Sequence, residues 1–270
     1  MKTLSVISTT YVRETPENLG ECLSSVFSQT VMPQKVILVG DGKLSDGLYA
    51  VIEKYREEYP DIFVYSETPQ NFGNWYASNT AISLCDTDII AKIDSDDLLL
   101  ENYAESIIDA FENNDIDICG VFIDEFDSET KESISVKKTP VLHEEIVAFA
   151  KRRNPFNNPG IAFKREIVEK NGAYREMKRC EDYDFVVRML CGGARGMNIP
   201  RVLVRYRTSE ENIVRRKNFD NTKWFIISRW RIYRMGFSSF FDFFITSAAQ
   251  LALFILPVRV TEKFYKNLRQ

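Results

Sequence analysis

The chain has 270 residues, enough for one large domain or a domain with an appendage, and its 44% hydrophobic and 27% charged content is ordinary for a soluble globular protein. Five cysteines without a CxxC pair fit a reducing compartment; the single histidine, His143, excludes a multi-histidine metal site and argues against a nucleophile served by a histidine base. The net charge of −4 is unevenly spread, −13 over residues 1–200 and +9 over residues 201–270, so an anionic partner is expected for the C-terminal segment alone.

"MKTLSVISTTY" has no apolar region long enough for a signal peptide, and "LSVISTTY" within it reads as a buried strand. Leu19, Cys22, Leu23, Val26 and Phe27 recur at helical spacing in "ENLGECLSSVFSQ". "KVILVGDG" is a second strand ending in a glycine turn, "GLYAVIEKYREEYP" a helix, and "DIFVYSE" a third strand. "NWYASNTAISLC" then reads as a helix and "DIIAKID" as a fourth strand. This alternation predicts a largely parallel sheet covered by helices. Ligands of such sheets gather beyond the carboxyl ends of the strands, where "GDG" and "DSDD" both fall. Further on, "ICGVFIDEF" reads as a strand, "DSETKESISVKK" as a turn or hairpin, "EDYDFVVRMLCGG" as a helix and "RVLVRYR" as a strand.

"IIAKIDSDDLLL" sets Asp94, Asp96 and Asp97 between two apolar runs. Like charges a few ångströms apart repel by roughly 1–4 kcal/mol at surface-like dielectric values, so a compensating cation is expected. Asp94 and Asp96 point the same way in an extended chain, and Mg²⁺ is usually held by one or two carboxylates plus phosphate oxygens. The other reading makes one aspartate the N-cap of a helix over "LLLENYAESIIDAF". The pair Glu181–Asp182 opens an amphipathic helix whose dipole stabilises negative charge. It suits either a proton acceptor or ordinary charge bias at a helix start.

The order "SVISTTY", "VGDG", "NFGNWYASN", "IDSDD", "GAY" and "EDYDFVVRML" resembles the family 2 glycosyltransferases of the GT-A fold, in particular the bacterial exopolysaccharide and capsule branch of the amylovoran-biosynthesis type. The resemblance covers roughly residues 4–217. It implies an α/β, Rossmann-like, mostly parallel sheet flanked by helices in a domain of residues 1–217; the remainder, 218–270, reads from its own composition as a basic and hydrophobic helical extension. It also implies a nucleotide-diphosphate sugar donor, a divalent metal (Mn²⁺ or Mg²⁺) and inversion at the anomeric carbon. Carried over by position, Thr10 and Tyr11 line the nucleoside pocket, Asp41 contacts the base, and Asn71 and Gly73 border the donor. Asp94 meets the ribose or metal, Asp96 binds the metal, and Asp182 is the general base with Glu181 beside it. Arg215 and Arg216 match a late basic pair covering the diphosphate, and paired guanidiniums suit that task, though a lipid headgroup or plain surface charge explains them as well. The sequence departs from the family in three places. Thr9-Thr10-Tyr11-Val12 stands for Pro-Thr-Tyr-Asn, Gly40-Asp41-Gly42-Lys43 for Asp-Asp-Gly-Ser, and Asn158 for a frequent histidine in the acceptor-facing segment. Uridine remains the expected base.

"FFITSAAQLALFIL", Phe243 to Leu256, spans about 21 Å as a helix, against a hydrocarbon core of about 30 Å. Basic residues flank it on both sides, Arg229, Arg231 and Arg234 before and Arg259, Lys263, Lys266 and Arg269 after. Spanning segments are usually asymmetric in charge, so a helix lying on an anionic leaflet fits better. Packing on the catalytic domain or in a homodimer is the other reading, and nucleic acid is disfavoured because these charges border an apolar run. Such a helix brings the site to a lipid-linked saccharide acceptor on the cytoplasmic face of a bacterial inner membrane. The rivals are a nucleotidyltransferase, which wants a glycine- and basic-rich first loop that "STTYVRET" lacks, and a non-catalytic sugar-nucleotide scaffold, for which Asp182 is dispensable. An aspartate-nucleophile phosphatase wants Thr or Val where Asp97 or Leu98 stands.

Overall fold

In the computed structural model, which describes residues 1–208 and 218–256, the first four expected strands lie side by side. They are β1 (Leu4–Thr10), β2 (Lys35–Gly40), β3 (Phe63–Glu67) and β4 (Ile89–Lys92), ordered β3-β2-β1-β4 and all parallel. Their apolar runs are continuous because both faces are covered. Leu4, Val6, Val36, Leu38, Ile89 and Ala91 enter one core, and Ile7, Ile37, Val39 and Ile90 enter the other, the period-two alternation of a strand. Helices α1 (Pro16–Phe27) and α2 (Asp46–Glu58) cover the first face, and α3 (Asn74–Ser83) covers the second. Thr15 caps α1 by accepting from the Asn18 amide, with Pro16 at its first position.

The second half contributes β5 (Leu98–Leu99), α4 (Tyr103–Asn113), β6 (Ile118–Asp127), β7 (Ser133–Lys137), α5 (His143–Ala150), β8 (Ile161–Lys164), α6 (Arg165–Asn171), α7 (Glu181–Cys191) and β9 (Gly196–Thr208). These strands extend the sheet as β4-β8-β6-β9-β5, with β7 on β6. β8 runs antiparallel to both β4 and β6, while β9 is parallel to β6. The parallel arrangement read from the sequence therefore describes the first four strands, and the later ones mix directions. β6 and β7 form the hairpin expected over "DSETKESISVKK", since a short turn can join only antiparallel strands. α4 begins at Tyr103 after Asn102, so none of the three clustered aspartates caps it. Leu98 and Leu99 instead form a short strand on β9.

After β9 the described chain resumes with α8 (Phe219–Arg234) and α9 (Phe240–Ile255), which pack on each other. Gly236, at φ +75°, turns the chain between them, a left-handed position that glycine occupies without strain. Ser239 and Asp242 form a reciprocal capping box at the start of α9. α9 is about 24 Å long at 1.5 Å per residue, and among the described residues no helix is long and apolar enough to cross a membrane.

Candidate active site

The carboxyl ends of β1, β2 and β4 meet loops from the second half of the chain along one edge of the sheet. At the end of β2, Asp41 is buried and its carboxylate accepts from the Phe72 amide (2.9 Å), the Gly73 amide (2.9 Å) and the Thr68 hydroxyl (3.3 Å). The Asp41 amide donates to the Thr10 carbonyl at 2.8 Å, and the Asn71 side chain donates to the Asp41 carbonyl at 3.3 Å. Four residues named from the sequence, Thr10, Asp41, Asn71 and Gly73, are thus one bonded unit. Gly42 permits it: at φ +80°, a Cβ there would lie 2.7 Å from the Asn71 backbone nitrogen. Among the described residues the buried Thr10 hydroxyl has no partner, and Tyr11 is exposed beside it.

The three aspartates after β4 have separate environments. Asp94 pairs with Lys92, a fully buried lysine on β4, and Asn158 lies 3.4 Å and 3.5 Å from its two carboxylate oxygens. Asp97 is fully buried, and one of its oxygens accepts from the Arg207 amide at 2.7 Å. Burial, with Asp96 and Asp94 nearby, pushes its carboxyl well above the usual range. Asp96 is half-buried and forms no ion pair within 4 Å among the described residues. Burial, together with the charges of Asp94 and Glu14, pushes its carboxyl up to about 7. The cation expected from the crowding is therefore supplied in part by Lys92 and by Arg207, whose guanidinium donates to the Asp96 carbonyl at 2.7 Å.

Across from this cluster α7 opens with Glu181 and Asp182. Cys180, just before them, is left-handed at φ 62°, a strained conformation for a residue with a side chain. The Asn74 amide donates to Glu181 at 3.1 Å, and the Asn154 amide donates to Asp182 at 2.9 Å. Asn74 also accepts from Thr9 at 2.8 Å, so it joins the end of β1 to the start of α7. The helix dipole was expected to keep both carboxylates ionised. For Glu181 burial and the neighbouring Asp182 win, and its carboxyl is raised. Lys92 acts on all three groups, since Asp94, Glu181 and Asp182 each favour its charged form.

The structure thus gathers Thr10, Asp41, Asn71, Gly73, Asp94, Asp96, Glu181 and Asp182 along one edge. Arg215 and Arg216 lie outside the described residues. Lys92, Asn74, Asn154 and Arg207 were not named from the sequence. A lone lysine in a strand otherwise as apolar as "DIIAKI" was the one available signal for Lys92. No cluster of three or more metal-ligating side chains occurs among the described residues. Asp96 with Asp94 can supply two carboxylates, which is the protein's usual share of a Mg²⁺ or Mn²⁺ site completed by phosphate oxygens.

Residues 5–172 match the model of glycosyl transferase family 2. The chain belongs to this family. As a family 2 glycosyltransferase it is 31% identical to the Escherichia coli UDP-Gal:alpha-D-GlcNAc-diphosphoundecaprenol beta-1,3-galactosyltransferase, over 97% of this chain and 95% of that protein. It is 29% identical to the amylovoran biosynthesis glycosyltransferase AmsE of Erwinia amylovora, over 98% and 99%. Among solved structures, the Pyrobaculum calidifontis mannosyltransferase PcManGT, in complex with GDP-Man and Mn²⁺, superposes with a TM-score of 0.67 at 17% identity, over 99% of this chain and 80% of that one. S. aureus TarS superposes with a TM-score of 0.62 at 18% identity over 84% of this chain, which spans 39% of TarS. These neighbours fix the fold as GT-A.

Proposed function

We propose that this glycosyltransferase moves a sugar, with inversion, from a nucleotide-diphosphate donor to a lipid-linked saccharide in bacterial surface-polysaccharide assembly, with a UDP-sugar as first choice of donor. The observation that carries it is the buried Lys92 at the end of β4, which pairs with Asp94 of the aspartate cluster and whose charged form Glu181 and Asp182 also favour, so that it ties the cluster to the start of α7. The 31% identical relative named for a diphosphoundecaprenol-linked acceptor supports the acceptor class. A donor fits with its nucleoside against Thr10, Tyr11 and the Asp41 turn, and its diphosphate toward Asp94 and Asp96. A divalent cation held by Asp96 and Asp94 would supply charge stabilisation at the leaving diphosphate.

Asp182, oriented by Asn154, accepts the proton of the acceptor hydroxyl as that oxygen attacks the anomeric carbon and the nucleoside diphosphate leaves. General-base help of this kind is worth about 10²–10⁴ in rate. Glu181, held by Asn74, keeps the second carboxylate beside it, and Lys92 balances the charge from below. Residues 1–217 form the catalytic unit and 218–270 an extension that rests on the membrane. Phe240, Phe241, Phe244 and Leu251 of α9 are exposed, and basic residues border that apolar face on both sides in sequence. Such an extension fits an enzyme working on the cytoplasmic face of the inner membrane.

The test is nucleotide release from a panel of UDP- and GDP-sugars with Mn²⁺, with Mg²⁺ or with chelator. Metal-dependent release from one donor is expected. Binding without turnover, even with acceptor present, would favour a non-catalytic scaffold, and no binding to any sugar nucleotide would sink the proposal.

A further inference from the structure

A cleft of about 520 Å³ lies between the loop leading into α7 and the last turn of α8, lined by Arg175, Glu176, Arg231, Arg234 and Met235. Three guanidiniums share it with one carboxylate. Arg175 approaches Asp184 at 4.0 Å, and among the described residues Arg231 and Arg234 form no ion pair. Basic residues in the last turn of a helix are favoured by its dipole, which accounts for Arg231 and Arg234. It does not account for Arg175, which reaches the same cleft from another segment. Guanidiniums from two elements around one concavity, those of Arg231 and Arg234 without a carboxylate partner among the described residues, have the chemistry of a phosphate site, because their planar forks match phosphate oxygens.

The location narrows the ligand. Arg229 of α8 lies 4.0 Å from the ring centroid of Tyr183, the residue after Asp182. Arg231 and Arg234 follow on that helix but, at about 100° per residue, on the face turned away from Tyr183; the cleft is tied to the site through Arg175, which follows Tyr174, a buried phenol pushed up by burial and by the charges of Asp182 and Glu181. Between Arg231 and Arg234 in sequence, Tyr233 has its ring 5.9 Å from that of Phe240, which opens the exposed apolar face of α9. None of the residues around Asp41, Asp94 or Asp96 lines this cleft. Along the chain the cleft thus adjoins both the segment leading into α7 and the segment leading into the apolar helix α9.

We propose that this cleft seats the diphosphate of the lipid-linked acceptor, with its sugar toward Asp182 and its lipid chain along α9, separate from the donor's diphosphate. The proposal rests on the lipid-linked acceptor of the preceding section. An anionic lipid headgroup shares the chemistry, so the test separates the two sources.

The experiment compares wild type with the double variant R231Q/R234Q. It measures binding in neutral detergent of a GlcNAc joined through diphosphate to a decyl chain, and of the neutral decyl glycoside of the same sugar. The variant is expected to bind the diphosphate compound at least ten-fold more weakly and the neutral glycoside unchanged. Its metal-dependent donor hydrolysis should match wild type, which shows that fold and donor site are intact. Unchanged binding of the diphosphate compound overturns the proposal while leaving the transferase reading standing, and so does equal weakening for both compounds. A loss confined to co-sedimentation with vesicles containing phosphatidylglycerol also overturns it, in favour of a headgroup contact. Absence of donor hydrolysis in wild type would instead count against the proposed function itself.

Discussion

The two ends of the candidate site are held by opposite means. Around Asp41 one carboxylate is shared among two backbone amides and a hydroxyl, so its charge is neutralised by short-range dipoles from the loop it orders. Beyond β4 five carboxylates, Asp94, Asp96, Asp97, Glu181 and Asp182, gather around the fully buried Lys92 and around Arg207. There the shifts run upward, for Asp96, Asp97 and Glu181 alike. The first end is a finished mould for a ligand that brings little charge. The second holds negative charge that the described residues do not fully neutralise, which suits a ligand arriving with a cation.

The comparison can be broken most severely at Asp96. Asp96→Ala is expected to lower sugar transfer about 10³-fold, of the order seen when an electrostatic partner of the transition state is removed. Thermal stability should hold or rise, since a repulsive charge is lost. A transfer rate within about three-fold of wild type would show that this end needs no cation at Asp96. Lys92→Met comes next. Removing one partner of a buried pair costs about 3–5 kcal/mol, which for a protein of this size lowers the melting temperature by roughly 10 °C. Adding Asp94→Asn to Lys92→Met should restore most of that loss. Failure to restore it would mean that Lys92 acts chiefly through Glu181 and Asp182.

The finished end should respond differently. In Asp41→Asn the new amide sets its own N–H₂ group against two backbone donors, a loss of about 1.5–3 kcal/mol for charge-assisted bonds. It should appear as a donor KM raised about ten-fold or more with little change in kcat, checked by steady-state kinetics. The smallest effect is expected at the junction with α9, where Arg152 meets Asp242 at 2.6 Å with the arginine half-exposed. Breaking it with Arg152→Gln should cost about 1 kcal/mol or less. The Ser239 hydroxyl, and then Arg152, hold the Asp242 carboxyl below its usual value. A depressed carboxylate stabilises the fold above its unfolded pKa of about 3.9 and loses that contribution as pH falls through the folded value. Melting curves of wild type and Asp242→Asn should differ at pH 6, begin to converge below about pH 4 and meet only below the folded pKa of Asp242.

Much of this contrast was readable in advance, because local pattern carries it. The four parallel strands are apolar runs with covering helices between them, and the "GDG" and "DSDD" turns follow directly from their ends. Asp41, Asp94 and Asp96 were therefore placed by chain order alone. What the pattern did not carry are the partners that arrive from far away. Asn74 meets Glu181 across 107 positions and Arg207 meets Asp97 across 110. No periodicity links such pairs, and a lysine within a strand does not announce a buried charge. The helix over "LLLENYAESIIDAF" was placed too early for the same reason: Leu98 and Leu99 are claimed by β9, a strand about a hundred residues downstream. For Glu181 the dipole argument weighed a local field, whereas burial, a tertiary property, set the direction.

The most direct measurement separates donor binding from transfer in Asp182→Asn, using the donor identified from the panel and a lipid-linked acceptor. The expected result is a donor Kd equal to wild type with transfer slowed by about 10² or more, the loss that follows removal of a general base. Transfer at a rate close to wild type would contradict the assignment of the acceptor proton to Asp182, and with it the central claim about how this site works.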